Sequence, residues 1–204
     1  MTLMTPKKVN GEIILTDVDG VLLNWNFMFT NWMKAKGFTQ QKDNVYSLAS
    51  CWGISEGHAT GLVQTFNTSA AVGFCPAYDD AVHYVQRLAW RGYKFQTITA
   101  MGGDLYSEEL RRKNLERIFG PDIFVGHTFI GLNACKKEAL SAYSGTRCWW
   151  IEDKVKNAVD GLEFGLRPIL LKHPHNDTFE HPEILAVSGW DAIYSIITGE
   201  EYLY

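Results

Sequence analysis

The 204 residues carry 19 lysines and arginines against 23 aspartates and glutamates, giving a formal net charge of -4 and a pI near 5.9. A hydrophobic share of 46% with 21% charged residues supplies one buried core and excludes global disorder, and the length suits one domain or one domain with a small insertion. The acidic balance offers no broad polyanion-binding surface, so nucleic acid is an unfavoured partner, while a local pocket for one phosphate stays open.

In chain order, Met1 to Gly11 is short and polar with no apolar stretch of signal-peptide length, and no window anywhere reaches membrane-spanning length. Glu12 to Thr16 is an apolar run that stops abruptly at Asp17-Val18-Asp19-Gly20, the pattern of a buried parallel strand with chemistry at its C-terminal end. Asn24 to Lys36 spaces Trp25, Met28, Phe29, Trp32 and Met33 as a helix does. Gly37, Gly53, Gly57 and Gly61 punctuate the next stretch, and Ser55 is a helix N-cap candidate.

From Pro76 the pattern is regular. Ala81, Val82, Val85, Leu88 and Ala89 form one helical face closed by Arg91-Gly92, and Tyr93 to Thr99 alternates as a strand. Ser107 is expected to cap the next helix, whose buried face is read as Leu110, Leu115, Ile118 and Phe119 before Gly120-Pro121 stops it. Ile123–Val125 and Thr128–Ile130 are two short strand candidates, Lys136–Tyr143 a short helix, and Cys148–Ile151 a strand ending in Glu152-Asp153. Lys156–Phe164 reads as a helix, Pro168–Leu171 as a strand, and Trp190–Thr198 as a C-terminal helix. Strands alternating with helices predict a parallel sheet covered on both faces. Cys51, Cys75, Cys135 and Cys148 form no C-x-x-C pair, which predicts a reduced, cytoplasmic setting.

Four polar features fall at predicted strand ends or the helix start after one: Asp17/Asp19, Thr99, Lys136 or Lys137, and Glu152/Asp153. Their chemistry suits phosphate-ester hydrolysis. A carboxylate attacks phosphorus to form an acyl-phosphate, and a second carboxyl two residues on protonates the leaving oxygen and then activates water. Clustered acids call for a cation, and magnesium prefers oxygen ligands with phosphate partners. A lysine balances the transferring phosphoryl group, a hydroxyl donates to it, and Gly20 lets the backbone turn tightly and its amide approach the phosphate. A calcium-loop reading of D-x-D-G fails, because the twelfth position from Asp17 is Met28. Thr97, on the same strand face, competes with Thr99. His173-Pro-His175 and His181 have no set ligand spacing and read as a polar surface loop. Trp25, Phe29 and Trp32 read as helix packing ahead of base stacking.

These motifs, in this order across residues 12 to 165, resemble those of the haloacid dehalogenase-like (HAD) phosphatase superfamily. The first is I-I-L-T-Asp17-Val18-Asp19-Gly20-Val21-Leu22, the second F-Q-T-I-Thr99-Ala100, the third the lysine of K-K-E-A-L, and the fourth Glu152-Asp153 with Asn157, Gly161 and Gly165 behind it. The resemblance implies a Rossmann-like three-layer α/β/α core over residues 11–22 and 76–204, with a small helical cap inserted at 23–75. It implies Asp17 as nucleophile and Mg2+ ligand, and Asp19 as acid/base with its carbonyl on the metal. Asp153 becomes a metal ligand assisted by Glu152, and Gly20, Thr99, Ala100 and Lys136 become phosphate-binding positions. D-V-D-G-V-L, Phe119-Gly120-Pro121-Asp122 and the E-D pair are similar to the 5'(3')-deoxyribonucleotidase branch, although the lysine-to-acid spacing is longer and the second motif ends Thr-Ala rather than Thr-Ser. The expected substrate is a small phosphorylated metabolite, a nucleoside monophosphate favoured. The rival readings are a nucleic-acid 3'-phosphatase, a sugar-phosphate phosphatase or mutase, and a non-enzymatic binding protein on the same fold. Oligomeric state is left open.

Overall fold

The computed structural model describes residues 12–43 and 47–200; the reading of Met1–Gly11 lies outside the described residues. Strands β1 (Ile13–Thr16), β2 (Lys94–Ala100), β3 (Phe124–Ile130), β4 (Trp149–Glu152), β5 (Arg167–Leu171) and β6 (Leu185–Val187) form one sheet in the order β3-β2-β1-β4-β5-β6. Every neighbouring pair is parallel. Parallel strands buried on both faces read as short apolar runs, and alternate residues then serve opposite layers. Ile14, Ile151 and Ile169 pack on one side with helices α4 (Asp79–Trp90), α5 (Leu105–Phe119) and α8 (Trp190–Thr198). Leu15, Trp150 and Leu170 face the other side, covered by α6 (Lys137–Ser141) and α7 (Val155–Glu163). This is the expected three-layer α/β/α arrangement.

Helices α1 (Trp25–Ala35), α2 (Leu48–Trp52) and α3 (Glu56–Asn67), with a 3-10 turn over Ala70–Phe74, fill the stretch between β1 and α4. The chain enters and leaves this stretch side by side: Leu23 bridges Ala77 antiparallel, and the Asn24 amide donates to Pro76 O at 2.8 Å. Asn24 and Ser55 cap α1 and α3 through their side chains. Trp25 stacks on Phe29 at 4.6 Å, and Phe66 meets both edge-on. Phe29, Met33 and Phe66 belong to the same apolar cluster as Ile14 and Leu115, so the helical segment is anchored in the main core rather than in a core of its own.

Local details depart from the sequence reading. The α5 cap is Asp104, whose Oδ2 accepts from the Ser107 amide at 3.0 Å; Ser107 sits one turn inside and its hydroxyl bonds back to the same carboxylate. A carboxylate satisfies the free amides and also meets the positive end of the helix dipole, so it outcompetes the serine. The buried side of α5 includes Leu115 and Phe119, while Leu110 and Ile118 are half-buried, and polar Ser107, Arg111 and Asn114 take the deepest positions. The two strand candidates at 123–130 are one strand, because Gly126 continues the ladder opposite Gln96, whose side-chain oxygen a Cβ at 126 would strike. Strand β6 and the one-turn helix α2 are additional; neither is long enough to show a period.

Candidate active site

Strand β1 sits where the sheet order reverses direction, with β2 on one side and β4 on the other. In open parallel sheets the crevice beyond the strand ends at such a point receives the ligand. Asp17 follows β1 directly, held by its amide donating to Ile151 O at 2.9 Å. The chain then turns through Val18 to Gly20. Asp153 follows β4, the neighbouring strand, so the two carboxylates meet across one strand spacing. Carboxylate oxygens of Asp17, Glu152 and Asp153 all lie within 4.8 Å of one another.

Lys136, at the start of α6, is 2% exposed and drives its ammonium between two of these acids, 2.7 Å from Asp17 Oδ2 and 2.9 Å from Glu152 Oε2. Lys137 points elsewhere, to Glu163 at 2.7 Å and Asp160 at 3.5 Å. The geometry thus separates the two lysines that sequence left open. Glu152 is fully buried and its four acceptor positions are spent: Oε1 takes the amides of Asp153 and Lys154, and Oε2 takes Lys136 and Asn157 Nδ2. It holds the lysine in place, and of the three clustered carboxylates Asp153 is the one that lines the cleft. Asn157 from the fourth motif completes that support, and Gly161 lets α7 lie against β4, since a Cβ there would meet Trp150 at 2.6 Å.

Gly20 has φ +84°, the left-handed backbone that the expected tight turn requires. Its amide already donates to Leu23 O at 2.9 Å, so it is not free for a phosphate. What the missing side chain provides is room: a Cβ would lie 2.2 Å from Asp153 Oδ2. Its carbonyl accepts from His173, whose Nε2 stands 2.7 Å away and must therefore carry the proton. Thr99 is buried on β2, two residues past the Thr16–Thr97 register pair and so beside the turn after β1; Ala100 ends the same strand. Thr97 is instead bonded to His127 on β3 at 2.9 Å.

Two contributors, Arg111 and Asn176, have no signal in the sequence pattern, and the His173-Pro-His175 segment has one that reads as a surface loop. Arg111, fully buried on α5, pairs with Asp19 through Nη2 at 2.9 Å, while its Nε and Nη1 have no hydrogen-bond partner among the described residues. Its helix is recognised by its leucines, and an arginine among them stands out in no way. Asn176 donates to the Asp153 carbonyl at 2.6 Å and to Leu171 O at 3.0 Å, and accepts from the His173 amide. His173 and His175 line the site rather than a surface loop, because this asparagine folds their segment back over the strand ends.

Burial dominates the electrostatics. It lifts Asp17 to about 7, with the Glu152 charge adding to the rise and Lys136 opposing it. It lifts Asp153 also to about 7, reinforced by Asp17, and Asp19 to about 6 against the pull of Arg111. Burial disfavours the Lys136 ammonium, but Asp17 and Glu152 outweigh it and hold that group well above the ordinary lysine range. The protein's own cations therefore leave the acids short of positive charge, and an oxygen-rich pair of carboxylates in that state fits a divalent cation such as Mg2+. Beside the acids, with Asp153 on its lining, opens a cleft of about 740 Å³ that runs from Gly20 and Asp153 to α1, α2 and α3.

No family model matches the sequence, and no curated protein sequence matches it. Solved structures do. A haloacid dehalogenase-like hydrolase from Streptococcus pneumoniae superposes with a TM-score of 0.62 at 14% identity, covering 92% of this chain and 98% of that one. The chain has the haloacid dehalogenase-like fold. A predicted phosphatase from Clostridium acetobutylicum gives 0.65 at 15% identity, covering 94% and 100%. The D,D-heptose 1,7-bisphosphate phosphatase of B. bronchiseptica, solved with magnesium and phosphate, gives 0.58 at 10% identity, covering 93% and 99%. In this chain the D-x-D-G turn follows β1, the strand flanked by β2 and β4.

Proposed function

We propose that this HAD-fold protein is a phosphomonoesterase that forms an aspartyl-phosphate on Asp17. The observation that carries the reading is the meeting of Asp17, Lys136 and Asp153 at the end of β1, with a second carboxyl, Asp19, two residues on. Asp17 Oδ attacks phosphorus and the ester oxygen leaves, taking a proton from the Asp19 carboxyl. Asp19, now a carboxylate, removes a proton from water, and the resulting hydroxide attacks phosphorus. The acyl–phosphate bond breaks, Asp17 returns to a carboxylate and inorganic phosphate departs. Lys136 neutralises charge on the phosphoryl oxygens, Glu152 and Asn157 hold Lys136 in place, and Thr99 supplies a donor beside the turn. Asp17, Asp153 and the Asp19 carbonyl would hold Mg2+, which supplies charge neutralisation and phosphoryl orientation when bound. Residues 23–75 act as a cap over the cleft, limiting water and substrate size.

The substrate is a small phosphorylated metabolite. Solved structures of similar fold include a heptose bisphosphate phosphatase and a putative β-phosphoglucomutase, which favours a sugar phosphate. Trp25 and Tyr78 in the cleft keep a nucleoside monophosphate in the panel. Hydrolysis of p-nitrophenyl phosphate with and without Mg2+, for wild type and Asp17→Asn, tests the chemistry. An inactive wild type, or activity that survives in the variant, refutes it.

A further inference from the structure

The cleft beside the acids has a consistent charge character. Its described lining residues include no lysine or arginine, and the carboxylates Asp43 and Glu56 stand on the helical wall opposite Asp153. The three residues between Asp43 and Ser47 are Asn44, Val45 and Tyr46, none of them basic. The remaining polar groups there are amides and hydroxyls, among them Asn24, Thr30, Gln40 and Ser47, and the imidazoles of His173 and His175; His173 spends its Nε2 proton on the Gly20 carbonyl, and burial holds His175 below the ordinary imidazole range. Both cations of the site are already committed beside the cleft: Lys136 lies between Asp17 and Glu152, and Arg111 is fully buried against Asp19. Glu56 is held in orientation by the Ser47 hydroxyl at 2.9 Å.

Recognition of a second phosphate or a carboxylate on a substrate requires a cation or a set of donors to replace its hydration. This wall offers carboxylates instead, so a remote anion is both desolvated and repelled. Hydroxyls and amines, by contrast, find acceptors there. We infer, resting on the phosphohydrolase reading, that the substrate carries one phosphate and no other anionic group, and that its leaving group is a neutral or cationic polar alcohol with several hydrogen-bond donors. The volume of about 740 Å³ accommodates a sugar or nucleoside of this kind. This narrows the panel: bisphosphates and phosphorylated hydroxy acids fall outside it, while sugar monophosphates, nucleoside monophosphates and phosphorylated amino alcohols stay inside.

Matched esters test the inference in the presence of Mg2+, with p-nitrophenyl phosphate as the measure of the chemistry itself. One pair is glucose 6-phosphate and glucose 1,6-bisphosphate; the other is glycerol 3-phosphate and 3-phosphoglycerate, with O-phosphorylethanolamine as the cationic member. The expected result is a kcat/KM at least about tenfold higher for the neutral and cationic esters, carried mainly by KM. Glu56→Lys should shrink or reverse the ratio within each pair. Turnover of p-nitrophenyl phosphate with equal or better use of the anionic members overturns the inference while the phosphatase reading stands. Equal ratios in wild type and Glu56→Lys overturn the assignment of the charge wall. A protein that hydrolyses none of these esters, p-nitrophenyl phosphate included, overturns the inference together with the reading it rests on.

Discussion

Replacing Arg111 with methionine isolates what the buried guanidinium does for Asp19. Methionine keeps much of the apolar stem and removes the charge. The pair is 2.9 Å apart with the arginine side chain fully buried and the aspartate 20% exposed. Charge centres ~4 Å apart at an effective dielectric of ~20 attract by about 4 kcal/mol. Removing one partner of a buried pair costs about 3–5 kcal/mol in general, and here some of that returns because Arg111 Nε and Nη1 are themselves buried without partners among the described residues. A net loss of about 3 kcal/mol results, or roughly 6–12 °C in Tm for a chain of this size. The loss must depend on pH. Asp19 is raised in the folded state to about 6 from 3.8, so its ionisation already opposes folding. That penalty is absent below about pH 4 and complete above the folded value, and losing Arg111 raises the folded value further. Thermal denaturation in EDTA should show a large difference at pH 8 and a small one near pH 4.5, and Asp19→Asn in the Arg111→Met background should restore most of the loss. An equal loss at both pH values, with no recovery in the double variant, would refute this account of the pair.

Lys136→Ala should abolish p-nitrophenyl phosphate hydrolysis, down by about 10²-fold or more, while Lys137→Ala, which removes only contacts to Glu163 and Asp160, should change it little; steady-state kinetics distinguishes them. Asp17 and Asp153, both raised to about 7, should make the cation-free protein lose stability as pH rises from about 4 through 7, and calorimetry should find that Mg2+ adds little at pH 5 and several degrees at pH 8. His127 is lowered to about 4 by burial and by Arg112; its contribution is present above pH 6.5 and is lost as pH falls toward 4, on the order of 2 kcal/mol after allowance for its partial exposure. Chemical denaturation of His127→Gln should show that part of the acid sensitivity gone. Gly161→Ala, which drives a methyl against Trp150, should cost about 1–3 kcal/mol, measured by the same method.

The central strands were legible because strands buried on both faces read as short apolar runs, and β1 and β4 stop at the acids of the site, while β2 showed itself by alternation. The acids proposed for the chemistry were legible for a related reason: two carboxylates directly after a buried apolar strand are costly without a cation or partner. The supporting residues were not. Arg111 lies on α5, whose leucines satisfy a helical period without it, and nothing local marks a buried arginine whose partner is 92 residues away. Asn176 and His173 act through backbone carbonyls of Asp153 and Gly20, contacts that depend on loop path rather than residue pattern. Gly20 shows the reverse case. Its importance is plain from the motif and its use is not, because the need for space around Asp153 arises only once β4 is placed beside β1.

The charge inventory at the strand ends carries one further consequence. Asp17, Asp19, Glu152 and Asp153 face only Lys136 and Arg111 among the described residues, so the fully ionised set has two negative charges in excess. A phosphate dianion entering that set meets repulsion that Lys136 alone does not offset, because its single charge is already shared between two carboxylates. A divalent cation removes the excess, so phosphate binding and cation binding must be strongly coupled, each raising the affinity for the other by the same factor. Titration calorimetry with inorganic phosphate should detect binding in Mg2+ and little or none in EDTA, and Mg2+ should bind more tightly when phosphate is present. Phosphate that binds equally well without the cation would show that the four acids are not ionised together, and that the site holds its charge balance by keeping protons rather than by recruiting a metal.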